Sequence, residues 1–119
     1  MNAFHRLGDY VPEDEYVNII GMIVSDIKRR RITETSYEWT FTILQDETSG
    51  RFDIKYRASK LEEDFQPAKL FNAIGSLIFM NRCVKNGLEY ELDFEKDNLA
   101  IVALRPNEFQ VQEFLKERL

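Results

Sequence analysis

An all-β barrel with accessory helices is the fold class the sequence predicts, and three observations point to it. Between Tyr37 and Ile43, Tyr37, Trp39, Phe41 and Ile43 alternate with Glu38, Thr40 and Thr42; from Phe52 to Arg57, Phe52, Ile54 and Tyr56 alternate with Asp53, Lys55 and Arg57. A period of two puts the apolar residues on one face of a strand and the polar ones on the other. The intervening Asp46 to Gly50 has the composition of a turn, so the two runs form an antiparallel hairpin. Second, two further apolar strands, Tyr16 to Ile27 and Phe71 to Cys83, each carry a glycine near the middle, Gly21 and Gly75. A glycine inside a strand marks a bulge, a bend or a close backbone approach, which is how a small barrel turns a corner. Third, Asn86-Gly87 precedes an unbroken alternation of Leu88, Tyr90, Leu92 and Phe94 with Glu89, Glu91, Asp93 and Glu95. Asn-Gly suits a type I′ hairpin turn.

Taken in order, residues 1–15 read as an N-terminal tail with scattered apolar residues and no period, packing loosely on the body or on a partner. In the strand from Tyr16 to Ile27, apolar residues on both phases predict burial on both sides for part of its length. Lys28 to Thr35 reads as a polar, basic loop ahead of the central hairpin. Ser59 to Phe71 is predicted to be a short helix, with Ser59 as cap, Glu62 completing a capping box and Pro67 limiting its length. The strand to Cys83, the turn at Lys85 to Gly87, and the alternating strand beyond it follow. Leu99 to Leu104 is a last buried strand. Asn107 caps a final helix on which Val111, Phe114, Leu115 and Leu119 form an apolar stripe. Five or six strands, a short helix between the third and fourth, and a C-terminal helix describe an oligonucleotide/oligosaccharide-binding (OB) barrel over residues 16–106, with the amphipathic helix over 107–119. An SH3-like barrel would not place a helix there.

Composition sets bounds on function. At 119 residues the chain has the length of one domain with a single core. No apolar run is long enough to cross a bilayer, and the N-terminus has no basic region followed by an apolar block, so no membrane association and an intracellular setting are expected. One cysteine, Cys83, and one histidine, His5, exclude an internal disulfide and a His/Cys zinc cluster. No nucleophile motif, phosphate-cradling glycine loop or metal-ligand spacing is present, and Asp46 and Glu47 sit where turn carboxylates normally satisfy backbone N–H groups. The expectation is a binding protein, not an enzyme, with no cofactor, metal or small-molecule substrate.

The formal net charge of −5 argues against a strong, non-specific polyanion binder. Cations nevertheless gather between Lys28 and Lys60, and acid gathers elsewhere. Four consecutive cations, Lys28, Arg29, Arg30 and Arg31, repel one another unless an anion lies near, and a phosphate backbone is such an anion. In an OB barrel the loops between strands one and two and between strands four and five (here Arg82 to Asn86, with Lys85) flank the groove and bracket Lys55 and Arg57. A solvated loop, or one that docks on an acidic protein, is the alternative for the same run. The aromatic face reads as core, with Trp39 and Tyr56, each carrying a polar tip, as the candidates for base stacking. The stripe of Val111, Phe114, Leu115 and Leu119 reads as a partner-binding face, against the alternative that it caps the barrel.

Ile43 to Arg57 (I-L-Q-D-E-T-S-G-R-F-D-I-K-Y-R) resembles the segment spanning strands two and three in the middle subunit of replication protein A and its relatives in telomere-capping (CST-type) complexes. Leu70 to Leu77 with Gly75 resembles the fourth strand of that family, and Asn107 to Phe109 the opening of its terminal helix. The resemblance spans roughly residues 16–119 on short motifs, and it departs from the pattern in the long acidic stretch from Glu89 to Asn98. It implies a nuclear subunit that works on single-stranded DNA and assembles through its C-terminal helix with another OB-fold subunit. With no winged-helix segment after Leu119, a small partner subunit or an excised domain is expected. A protein-only interaction module of the same fold is the alternative.

Overall fold

The computed structural model describes residues 4–12, 14–45, 50–59, 74–93, 99–103 and 116. Among them seven strands form one sheet: β1 (Val17–Ile23), β2 (Lys28–Arg31), β3 (Ser36–Leu44), β4 (Arg51–Ser59), β5 (Leu77–Asn86), β6 (Glu89–Asp93) and β7 (Leu99–Ala103). The order β1-β3-β4-β6-β5 closes on itself because β5 also pairs with β1, giving a five-stranded barrel, and β7 adds a strand alongside β5. Pairs are antiparallel except β4–β6, which is parallel and sets Ile54 beside Tyr90 and Tyr56 beside Leu92. The architecture is all-β and consistent with an OB fold. Of the expected helices, Ser59 to Phe71 and the one opened by Asn107, the described residues include Ser59, which ends β4, and Lys116, which is helical; the rest lies outside them.

The central hairpin pairs over its full length, from Ser36↔Ser59 to Leu44↔Arg51. Its apolar phase faces inward. Trp39, Phe41, Ile43, Ile54 and Tyr56 join Ile19, Ile23, Ile78, Met80, Cys83, Tyr90 and Leu92 in one buried cluster. Each such large side chain contributes about 1.5–3 kcal/mol by leaving water.

The first long strand is divided where the sequence suggested continuity. β1 stops at Ile23, and Val24 to Ile27 carries the chain round the corner before β2 resumes pairing with β3. The corner is pinned to Thr42: its carbonyl accepts from Val24 N–H (2.9 Å), and its N–H donates to Ser25 Oγ (2.8 Å). Gly21 sits just before the corner, where an added Cβ would lie 3.3 Å from the Leu44 carbonyl. It allows the close approach expected of it. Gly75 lies in a turn ahead of β5, not within the strand, at φ 84°, and its N–H donates to the Ile23 carbonyl. The β5–β6 turn also differs from expectation. Asn86 still pairs with Glu89, so the two-residue loop is Gly87-Leu88, and Gly87 alone takes a positive φ, 65°. Glycine at the first loop position is the signature of a type II′ turn, not the type I′ that Asn-Gly suggested.

The N-terminal segment is no loose tail. Leu7 is buried in the barrel core, and Gln45, itself buried, clasps the segment by accepting from Leu7 N–H (2.8 Å) while donating to the carbonyls of His5 (2.9 Å) and Ile20 (3.1 Å). His5 Nε2 lies 2.8 Å from the Tyr90 hydroxyl, which also accepts from Gly8 N–H. Phe4 meets Phe79 edge-on at 5.4 Å.

Candidate functional site

The register of β2, β3, β4 and β6 sets the outward side chains in transverse rungs. One runs Arg30, Glu38, Arg57, Asp93; the next Lys28, Thr40, Lys55, Glu91; a third Thr42, Asp53, Glu89. The polar phase predicted for the hairpin thus becomes one face of the barrel.

The cationic run forms β2, and this corrects the expectation of a loop from Lys28 onward; the loop is confined to Ile32 to Thr35. Strand geometry divides the four cations. Arg30 shares a face with Glu38 and donates to it at 3.0 Å while its side chain stays 73% exposed. Lys28 lies on the same phase, opposite Thr40. Arg29 and Arg31 take the opposite phase. The Arg29 guanidinium lies 4.8 Å from the centre of the Tyr37 ring, and Arg31 Nε donates to the Thr33 carbonyl. All four residues are exposed.

The hairpin cations are spoken for by carboxylates. Arg57 reaches Glu38 at 3.4 Å, Glu91 through a short hydrogen bond and Asp93 at 3.8 Å, while Lys55 pairs with Glu89 at 3.1 Å. Burial works to lower the Arg57 guanidinium, but the bond and charge of Glu91, with Asp93 and Glu38, raise it. Burial likewise works to raise the Glu91 carboxyl. Hydrogen bonds from Asn86 and Arg57 and the charges of Arg57 and Lys55 outweigh that and hold it below its ordinary value. Thr42 donates to Asp53 at 2.9 Å. A phosphate at Lys55 or Arg57 must therefore compete with carboxylates already in place.

Three expected contacts need correction. Trp39 and Tyr56 are fully buried, their ring centres 6.2 Å apart in the core, so neither offers a face to a base. The hairpin's inner face is the barrel interior, and closure covers both rings. Lys85 takes the inward phase opposite Tyr90 and folds over the rim, where its Nζ donates to the carbonyls of Gly8 (3.4 Å) and Asp9 (3.0 Å). Its ammonium is engaged in holding the N-terminal segment. Val111, Phe114, Leu115 and Leu119 lie outside the described residues.

Arg82 remains on the surface, and a bulge puts it there. Val17 pairs with Cys83 and Ile19 with Met80, so Asn18 alone faces both Asn81 and Arg82. Arg82 sits at φ 62° with its N–H directed to Asn18 Oδ1 (3.4 Å) and its guanidinium 4.4 Å from the centre of the Tyr16 ring. Tyr16, Glu38, Glu91 and Asp93 are not among the candidate residues that the sequence points to. Glu38 was recoverable from the hairpin register alone, since the cross-strand partner of Arg57 is fixed once the hairpin is placed. Glu91 and Asp93 were not, because they reach Arg57 through the parallel β4–β6 pairing.

Chemically, the face offers ion pairing and hydrogen bonding. The Cys83 thiol is buried and pushed up to about 12, which leaves it protonated and inert. Among the described residues no group of His, Cys, Asp and Glu side chains is arranged to hold a metal ion. No protein-family model matches the chain, and no curated protein matches it either.

Proposed function

We propose that the chain is an OB-fold subunit of a single-stranded DNA-binding complex of the replication protein A or telomere-capping kind. The strand runs along the exposed cations of β2 and across the rungs of the outer face, and assembly goes through the C-terminal stripe. One observation carries the reading: four consecutive exposed cations are fixed by strand pairing at the margin of the outer face of a closed barrel. Same-face residues on a strand repeat at about 6.6 Å. That step is comparable with the phosphate repeat of an extended single strand, which lets Lys28 and Arg30 meet neighbouring phosphates. Because Lys55 and Arg57 already pair with Glu89, Glu91, Glu38 and Asp93, few charges are left to neutralise DNA, and binding by the isolated chain is weak. Function in the nucleus goes with this reading.

The test is a titration of a labelled oligothymidylate at several salt concentrations, with wild type and with Arg29, Arg30 and Arg31 all changed to Ala. Each single-strand phosphate contact contributes about 0.7 to the slope of log affinity against log salt, and Arg30 is the one of the three on the outward phase, so the triple variant should lose about 0.7. Equal slopes for the two proteins would remove the role given to β2. A protein-binding module is the second reading, favoured by the balance of opposite charges across the outer rungs. It predicts no salt-sensitive binding of single strands by the chain, alone or in its complex.

A further inference from the structure

Beyond the phosphate contacts, the barrel carries a cleft of about 250 Å³ at the far end of the rungs, lined by Tyr16, Arg57, Arg82, Val84, Glu91 and Asp93 among others. We propose that this cleft is a base-stacking subsite, in which one unpaired base of the strand lies flat on the Tyr16 ring and no phosphate is held. The inference rests on the single-strand reading above and adds the place where a base is gripped.

Tyr16 stands just ahead of β1 and is left 57% exposed. The Arg82 guanidinium lies over its ring, 4.4 Å from the centre, and covers one face. Exposure that large with one face covered leaves the opposite face to solvent. Aromatic rings are the surfaces on which unpaired bases stack, and a cation behind the ring holds it in place. Arg82 serves only as that backing, whatever else its N–H groups bond. The bulge at Asn18 sets it in a left-handed backbone position, φ 62°, that non-glycine residues avoid. Backbone outliers of this kind gather at binding sites. A ring already fixed in this way loses little freedom when a base lands on it. Val84, exposed on the same strand as Arg82, supplies an apolar flank.

Charge is the reason a base enters here and a phosphate does not. Two guanidiniums, Arg57 and Arg82, face two carboxylates, Glu91 and Asp93, so the lining carries no formal net charge. Arg57 already pairs with both carboxylates. A phosphate in the cleft meets as much repulsion as attraction, whereas an uncharged base is indifferent to that balance. The cleft also lies in line with the cations of β2. The rung Lys28, Thr40, Lys55, Glu91 continues across β5 to Val84. Four inter-strand steps of about 4.8 Å put Val84 roughly 19 Å from Lys28 around the barrel, about three nucleotides of an extended strand. One strand can therefore set phosphates on β2 and a base on Tyr16.

The probes are an oligothymidylate long enough to cross the outer face and an abasic oligomer of the same length, which keeps the sugars and phosphates but carries no bases. Each is titrated onto the full chain at several salt concentrations. Wild type should bind oligothymidylate about tenfold more tightly than the abasic oligomer. That factor should be the same at every salt concentration, because stacking releases no counterions. Tyr16→Ala should erase the factor, and Tyr16→Phe, which keeps the ring, should retain it. Equal affinities of wild type for the two oligomers, a factor that survives Tyr16→Ala, or one lost in Tyr16→Phe would overturn the subsite and leave the single-strand reading standing. Failure of wild type to bind either oligomer at low salt would overturn both.

Discussion

Two titratable side chains, His5 and Glu91, tie the fold to pH in the same direction. Burial is the main reason the His5 imidazole lies below its ordinary value of 6.5, with Asp9 opposing the shift and Lys85 adding to it. The Glu91 carboxyl lies below 4.5, because its bonds and charge partners overcome the effect of burial. In both cases the unfolded chain binds more protons than the folded one between the folded and the unfolded value. Stability is therefore full above the unfolded value and falls as pH drops through the folded one. Urea unfolding should show a stability that is level near neutrality, declines on acidification below 6.5 and declines further below 4.5. His5→Gln should remove the first stage and Glu91→Gln the second. A wild-type stability that stays constant to the acid side of both values would contradict these assignments. Neither effect was legible in the sequence: His5 stood alone in an apparently loose tail, and Glu91 was one acid among many.

At the scale of elements, the N-terminal segment and β2 changed most between sequence and structure. The segment lacks any periodicity because it contributes single anchors, Leu7 and Phe4, and takes its hydrogen bonds from the side chains of Gln45 and Tyr90 instead of a regular ladder. Gln45→Met keeps the approximate volume but leaves Leu7 N–H and two carbonyls without their side-chain partner. A buried group so stranded costs about 1–3 kcal/mol, so the variant should lose roughly 2 kcal/mol or more and exchange its Leu7 amide faster. Unchanged stability would mean that the segment is not clasped as described. Four charged residues carry no alternation, so the sequence of β2 predicts a loop. Its pairing comes from the neighbouring strand, and an exposed, charged strand at a sheet margin is one way a protein discourages edge-to-edge association. The β3–β4 hairpin, by contrast, was written in its own residues, down to which side chains face inward.

For the whole molecule, closure decides what the hairpin faces mean. Alternation showed that Trp39 and Tyr56 share the apolar phase, but only the ring β1-β3-β4-β6-β5 makes that phase an interior with no room for a base. The same closure, through the parallel β4–β6 pairing, brings Glu89, Glu91 and Asp93 alongside Lys55 and Arg57. Taken by themselves, the cations of the sequence predict a basic patch; the folded chain has an ion-paired face with exposed cations at the β2 margin and at Arg82. Amide chemical-shift mapping of the isotope-labelled chain, titrated with oligothymidylate, tests that arrangement most directly. Salt-sensitive shifts are expected at Lys28 to Arg31, Glu38 to Thr42, Lys55 to Arg57 and Arg82, with the N-terminal segment around Leu7 and Gly8 unmoved. Shifts confined to that segment, or none at any salt concentration, would contradict it.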